Sequence, residues 1–143
     1  MYIKQISVYI ENTKGQLAAI TKIIADRGID IRALSLADTT SFGILRLILD
    51  KPYEAKDALT EAGHSVVITP VIAVGVDDEP GALSKVIELL SANDISIEYM
   101  YAFTAKKHNQ ALSIIRVDEG DKAVAVLENE GISFYGDADI GSI

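Results

Sequence analysis

Asp77-Asp78-Glu79-Pro80-Gly81-Ala82-Leu83 separates two kinds of apolar pattern. Before it, Val71-Ile72-Ala73-Val74-Gly75-Val76 is short and almost wholly apolar, as a buried strand would be. After it, Leu83, Val86, Ile87, Leu89 and Leu90 recur at helical spacing. Pro80 suits the first turn of a helix, and Gly81 lets backbone come close to a neighbour. A helix N-terminus there offers N–H donors and the positive end of the dipole, a suitable place for a ligand's anionic head.

A looser copy stands earlier, as Glu11-Asn12-Thr13-Lys14-Gly15-Gln16-Leu17. Gly15 and Gly81, Leu17 and Leu83, Ile20 and Val86, Ile23-Ile24 and Leu89-Leu90 all lie 66 positions apart. So do Ile29-Asp30-Ile31 and Ile95-Ser96-Ile97. Beyond the hairpin at 104–110 the offset becomes 68, matching Asp50 to Asp118, Leu59 to Leu127 and Gly63 to Gly131. An offset held through strand, turn, helix and strand is the mark of an internal duplication.

In the first copy, Ile3, Ile6, Val8 and Ile10 predict a strand, and Asn12 or Thr13 is the expected cap of the next helix. Leu17, Ile20, Ile23 and Ile24 share one face of that helix, which Arg27-Gly28 closes. Residues 29–36 and 42–49 read as antiparallel strands around the turn Asp38-Thr39-Thr40-Ser41. A helix is expected from Pro52 to Ala62, stopped by Gly63, and a short strand over 64–68. Pro70 is expected to separate this unit from its repeat, giving modules at 1–70 and 71–143.

The order βαββαβ lays four antiparallel strands against two helices, an α+β, ferredoxin-like arrangement. A unit of about 70 residues has a marginal core. The two copies are therefore expected to pack as an intramolecular pseudo-dimer, which would cover open sheet edges.

A strand, Asp-Asp-Glu-Pro-Gly-Ala-Leu, a helix and then Asp94-Ile95-Ser96-Ile97 resemble the ACT domain, a small-molecule-binding regulatory module. Asn12-x-x-Gly15-x-Leu17, a helix and Gly28-Ile29-Asp30-Ile31 make the first repeat a second copy, with Lys14 where proline would stand. The resemblance covers all but the tail from about Gly136. It implies that an amino acid binds between two modules, held by the first turn of one and the second-strand head of the other.

Carried over by position, the turn residue is Asn12 in one repeat and Asp78 in the other, and the strand head is Asp30 or Ser96. The resemblance implies two unlike pockets. One joins Asn12, Thr13, Lys14, Gly15, Gln16 and Leu17 to Ser96 and is neutral to basic. The other joins Asp77, Asp78, Glu79, Gly81, Ala82 and Leu83 to Asp30 and is crowded with carboxylates. The first is expected to be the tighter host for a neutral amino acid. Plain helix capping, worth about 1 kcal/mol, explains Asn12 and Asp78 without any ligand. Asp30 and Ser96 also fit as the exposed partners of alternating strands.

Composition narrows the function further. Of 143 residues, 49% are apolar and 24% charged, an ordinary globular balance. A net charge of −8 repels nucleic acid, and Lys106-Lys107-His108 is the only basic run. No apolar run is long enough to span a membrane, and the N-terminus has no signal-peptide pattern. Cysteine is absent, which fits the cytoplasm. His64 and His108 have no third residue at metal-ligand spacing, and no nucleophile elbow or phosphate loop occurs. Neither a catalytic role nor a cofactor or metal is expected. Tyr99, Tyr101 and Phe103 share one strand face, most simply as packing.

The sequence thus reads as an amino-acid-binding regulatory or sensor protein whose output needs a homodimer or an enzyme partner chain. The alternatives are a small regulatory subunit of a biosynthetic enzyme, such as that of acetolactate synthase, and an interaction scaffold without ligand.

Overall fold

The computed structural model describes residues 1–11, 13–38, 41–104 and 109–142. The chain divides into two compact units, Lys4–Thr69 and Pro70–Ile143, the latter joined by Met1–Ile3.

In the first unit the order is β1 (Ile3–Glu11), α1 (Gln16–Asp26), β2 (Ile31–Asp38), β3 (Phe42–Leu49), α2 (Pro52–Glu61) and the leading residues of β4 (Ser65–Asp77). Its strands lie in the order β2-β3-β1-β4, antiparallel where β3 meets β1 and β2. One sheet face carries Ile6, Val8, Ile10, Leu45, Leu47 and Leu49 against Ile20, Ile24 and Leu59 of the helices. Burying each of these side chains contributes roughly 1.5–3 kcal/mol.

The second unit repeats this with the rest of β4, α3 (Ala82–Ala92), β5 (Ile97–Thr104), β6 (Gln110–Val117), α4 (Gly120–Asn129) and β7 (Ser133–Tyr135). Here β4 lies between β6 and β7, and β5 pairs with β6. Its core of Ile72, Val74, Val76, Val86, Leu90, Ile95 and Leu127 stands 66 or 68 positions from its counterparts. Even the irregularities repeat. Register shifts fall between Ile31 and Ala33 and between Ile97 and Tyr99, so Arg32 and Glu98 occupy equivalent bulges. The α+β fold read from the sequence, βαββαβ written twice, is the fold observed.

Three local expectations are corrected. Pro70 does not separate two strands; it lies inside β4, which runs unbroken for 13 residues. The β4–β6 register begins only at Ile72, so the missing proline N–H costs no bond in that ladder. The Pro70 carbonyl meanwhile accepts Arg116 Nη1 at 2.8 Å. Second, β2 starts at Ile31, not Ile29, and continues through Asp38, a residue whose type suits the turn. Third, the tail forms a short helix, α5 (Asp137–Ile140), where Gly136 N–H donates to Asp139 at 2.7 Å and Ile140 is buried.

Four helices end alike. Ile29, His64, Ile95 and Ile132 each donate their N–H to the carbonyl five residues back, at 3.0–3.2 Å. The residue before each is left-handed: Gly28, Gly63, Asp94 and Gly131. This is the Schellman closure, and the Arg27-Gly28 and Gly63 stops fall where expected.

Candidate functional site

The two turns fold as copies. Thr13 N–H donates to the Glu11 carbonyl at 2.8 Å, and Glu79 N–H to Asp77 at 2.8 Å. The chain then passes through left-handed Gly15 (φ 87°) and Gly81 (φ 90°), which are the residues that precede α1 and α3. Ala19 and Lys85 make the first helical bonds to these glycines at 2.9 and 3.0 Å.

The expected cap at Thr13 and the expected helix start at Pro80 are therefore corrected. Thr13 does not cap α1, and Pro80 stands before the Gly81 cap instead of opening α3. Asn12, the other expected cap and turn residue, lies outside the described residues. Space is not what selects these glycines, since a Cβ at either would meet nothing within 4 Å. Their backbone angle is. With glycine as the cap, neither helix start has a side-chain acceptor among the described residues. The repeats differ in one respect. Ala82 N–H reaches the Glu79 carbonyl at 3.3 Å, whereas Gln16 N–H has no such acceptor among the described residues.

The strand heads are copies too. Asp30 N–H donates to Asp50 Oδ1 at 2.9 Å, and Ser96 N–H to Asp118 Oδ1 at 3.0 Å. The bonds are returned, with Asp50 N–H on the Asp30 carbonyl at 3.3 Å and Asp118 N–H on Ser96 at 3.2 Å. Asp50 and Asp118 thus hold the strand heads in place. Their 68-residue offset was visible in the sequence, but their task was not. The Asp30 carboxylate meets Arg32 Nη1 at 2.8 Å, and Glu98 in the equivalent bulge faces Arg116 at 3.6 Å.

Within one module, turn and strand head lie at opposite ends of the same helix. The 11 residues of α1 or α3 set them about 16 Å apart. No module therefore joins its own turn to its own strand head.

Thr13, Gly15, Gln16 and Leu17 line an open cavity of about 520 Å³ beside α1, together with Thr21 of the same helix and Leu36 of β2. Lys14 is exposed and is not part of its wall. Glu11 is, so the first turn is not the neutral-to-basic place that was expected. In the second module Asp77, Glu79 and Ala82 line a smaller cleft of about 160 Å³, while Asp78, Gly81 and Leu83 are exposed outside it.

The second turn is also less anionic than its sequence suggests. Lys85 lines the cleft, and Gln110 Nε2 donates to Asp77 Oδ1 at 3.0 Å. Lys85 is exposed at helical spacing from Gly81 and was legible in principle, whereas Gln110 meets Asp77 only through the β4–β6 register. Among the described residues no group of His, Asp and Glu is arranged to hold a metal ion. No helix described is long and apolar enough to cross a membrane.

Two split βαββαβ units with duplicated helix-start turns and strand heads define a paired regulatory module. The chain belongs to the ACT domain pair family, which matches residues 1–143. Protein BT0572 from Bacteroides thetaiotaomicron, of known crystal structure, is 36% identical over 100% of this chain and 98% of its own, with a TM-score of 0.93. The regulatory subunit of aspartate kinase from Thermus thermophilus, in its ligand-free form, shares the fold at 21% identity. Its TM-score is 0.62 over 88% of this chain and 91% of its own. The corresponding Thermus flavus subunit gives 0.59 at 20% identity, over 87% and 88%. No curated protein sequence matches the chain. As an ACT domain pair the chain is a regulatory module, not a catalytic domain.

Proposed function

We propose that the protein is a cytoplasmic amino-acid sensor whose tighter site is the first turn, Asn12 to Leu17. The supporting observation is the start of α1, uncapped by any described side chain and opening on a cavity of about 520 Å³. The N–H of Gln16, which has no acceptor among the described residues, and those of its neighbours donate to the ligand's carboxylate, aided by the helix dipole. Asn12 takes the ammonium group, and Ser96 acts as the complementary strand head, supplied by the other module type. The Asp77–Glu79 turn is the weaker host, because the Ala82 N–H is already engaged by the Glu79 carbonyl. The contrast rests on this bond more than on net charge.

A thermal-shift screen of the common amino acids on the whole chain tests this. A true ligand at about 100 times its Kd adds roughly 2.7 kcal/mol and raises Tm. By calorimetry, Asn12→Ala loses more affinity than Asp78→Ala. Equal losses would remove the asymmetry, and no shift with any amino acid would leave the scaffold reading.

A second reading, a regulatory subunit docked on a biosynthetic enzyme, draws on Leu34 and Leu36 of β2. Both are 48% exposed, and β2 stands at an end of the strand order. Co-purification of a catalytic chain, lost in a Leu34→Ser/Leu36→Ser variant, is the result that would favour it.

A further inference from the structure

In each module the end of the first strand, the start of the first helix and the loop into the last strand enclose a cleft. The clefts are repeat-equivalent. Glu11 stands where Asp77 does, Phe42 where Gln110 does, and His64 where Ile132 does.

The second module fills its cleft from within. Tyr135 donates its hydroxyl to Gln110 Oε1 at 2.9 Å, and Gln110 passes its amide to Asp77 at 3.0 Å. The chain of bonds leaves about 160 Å³. In the first module Phe42 and Val67 replace Gln110 and Tyr135, so no such chain can form. The cleft there holds about 460 Å³, within the usual range for a small-molecule pocket.

What lines it is selective. Glu11 and Phe42 are direct cross-strand partners, and Tyr9 lies two residues back on the same face. The Glu11 carboxylate has no hydrogen-bond or ion-pair partner among the described residues. Tyr9 and Phe42 are 51% and 57% exposed, although both are large and apolar. A carboxylate flanked by solvent-exposed aromatic side chains attracts an organic ammonium, through charge and through cation–π contact. A metal ion would find one carboxylate only, and an anion would meet Glu11 on a chain of net charge −8.

We propose that this cleft of the first module binds a primary amine with an aromatic or aliphatic body, its ammonium on Glu11 and its body against Tyr9 and Phe42. The site is separate from the turn cavity along α1, with which it shares a wall at Glu11 and Gln16.

Titration of the whole, isotope-labelled chain with tyramine, followed by amide NMR, tests the proposal, with p-cresol as the uncharged control. Saturable shifts are expected at Tyr9 to Glu11 and at Gly63 to Ser65 for tyramine, and at least tenfold weaker binding for p-cresol. Glu11→Gln should weaken tyramine at least tenfold while leaving distant amides unmoved, and Tyr9→Leu should weaken it severalfold. Shifts that are absent, that centre on Gly131 to Ser133, or that survive Glu11→Gln unchanged would overturn it.

Discussion

Asp94 stands left-handed at φ 58° where its repeat-equivalent Gly28 stands at 66°. Of the four Schellman closures described, only this one places a side chain at the left-handed position. Asp94→Gly should therefore stabilise the protein by up to about 1 kcal/mol, less whatever the added chain freedom costs the folded state. Gly28→Ala should do the reverse, by about 1 kcal/mol. Urea unfolding of both variants gives the sign directly.

A Cβ at Gly75 would run into the Gln110 side chain and come within 2.9 Å of Tyr135 Cε2. Gly75→Ala should destabilise by about 1–3 kcal/mol through overpacking. Because Gln110 is the nearer of the two obstacles, Gln110→Ala should recover part of the loss. A double-mutant cycle that is additive would show that the crowding lies elsewhere.

Tyr2 donates its hydroxyl to Asp121 Oδ1 at 2.6 Å, over Gly120. This bond, then burial, then the Asp121 charge raise the Tyr2 pKa above its ordinary 10.0. The folded state holds the proton more tightly, so the contribution is complete below 10.0 and is lost as pH rises through the folded value. Denaturant midpoints should fall across that alkaline window, and less steeply in Tyr2→Phe. Identical slopes would remove Tyr2 as the titrating group.

Asp50→Ala and Asp118→Ala each break the side-chain bond that fixes a strand head. Each should cost about 1 kcal/mol, the usual worth of such a bond at the surface. Under the proposed function, Asp118→Ala should also weaken amino-acid binding through a displaced Ser96. Unchanged affinity in a folded variant would mean that Ser96 is not in the site.

The fold was legible because apolar spacing and a constant offset carry it: Ile20 with Val86 and Leu59 with Leu127 are core pairs in both readings. Local chemistry was less so. Asn12, Thr13 and Pro80 are good helix-start residues by type, yet the left-handed glycine after them sets the start, and φ is not written in residue identity. Pro70 looked like a strand break because proline breaks ladders, but it lies inside β4, just ahead of the stretch that pairs with β6. Site electrostatics needed the register, since Gln110 on Asp77 and Arg32 on Asp30 are contacts between residues that look unrelated or merely adjacent.

At each strand head, the amide donor and the carbonyl acceptor are both engaged by one aspartate of the same module. The backbone donors are spent, and what distinguishes the two heads is the side chain, a carboxylate paired with Arg32 at Asp30 and a hydroxyl at Ser96. Selectivity at this point is thus uncoupled from the path of the backbone. One substitution can retune it without rebuilding the scaffold, which is how a duplicated module can acquire a new specificity while keeping its old shape.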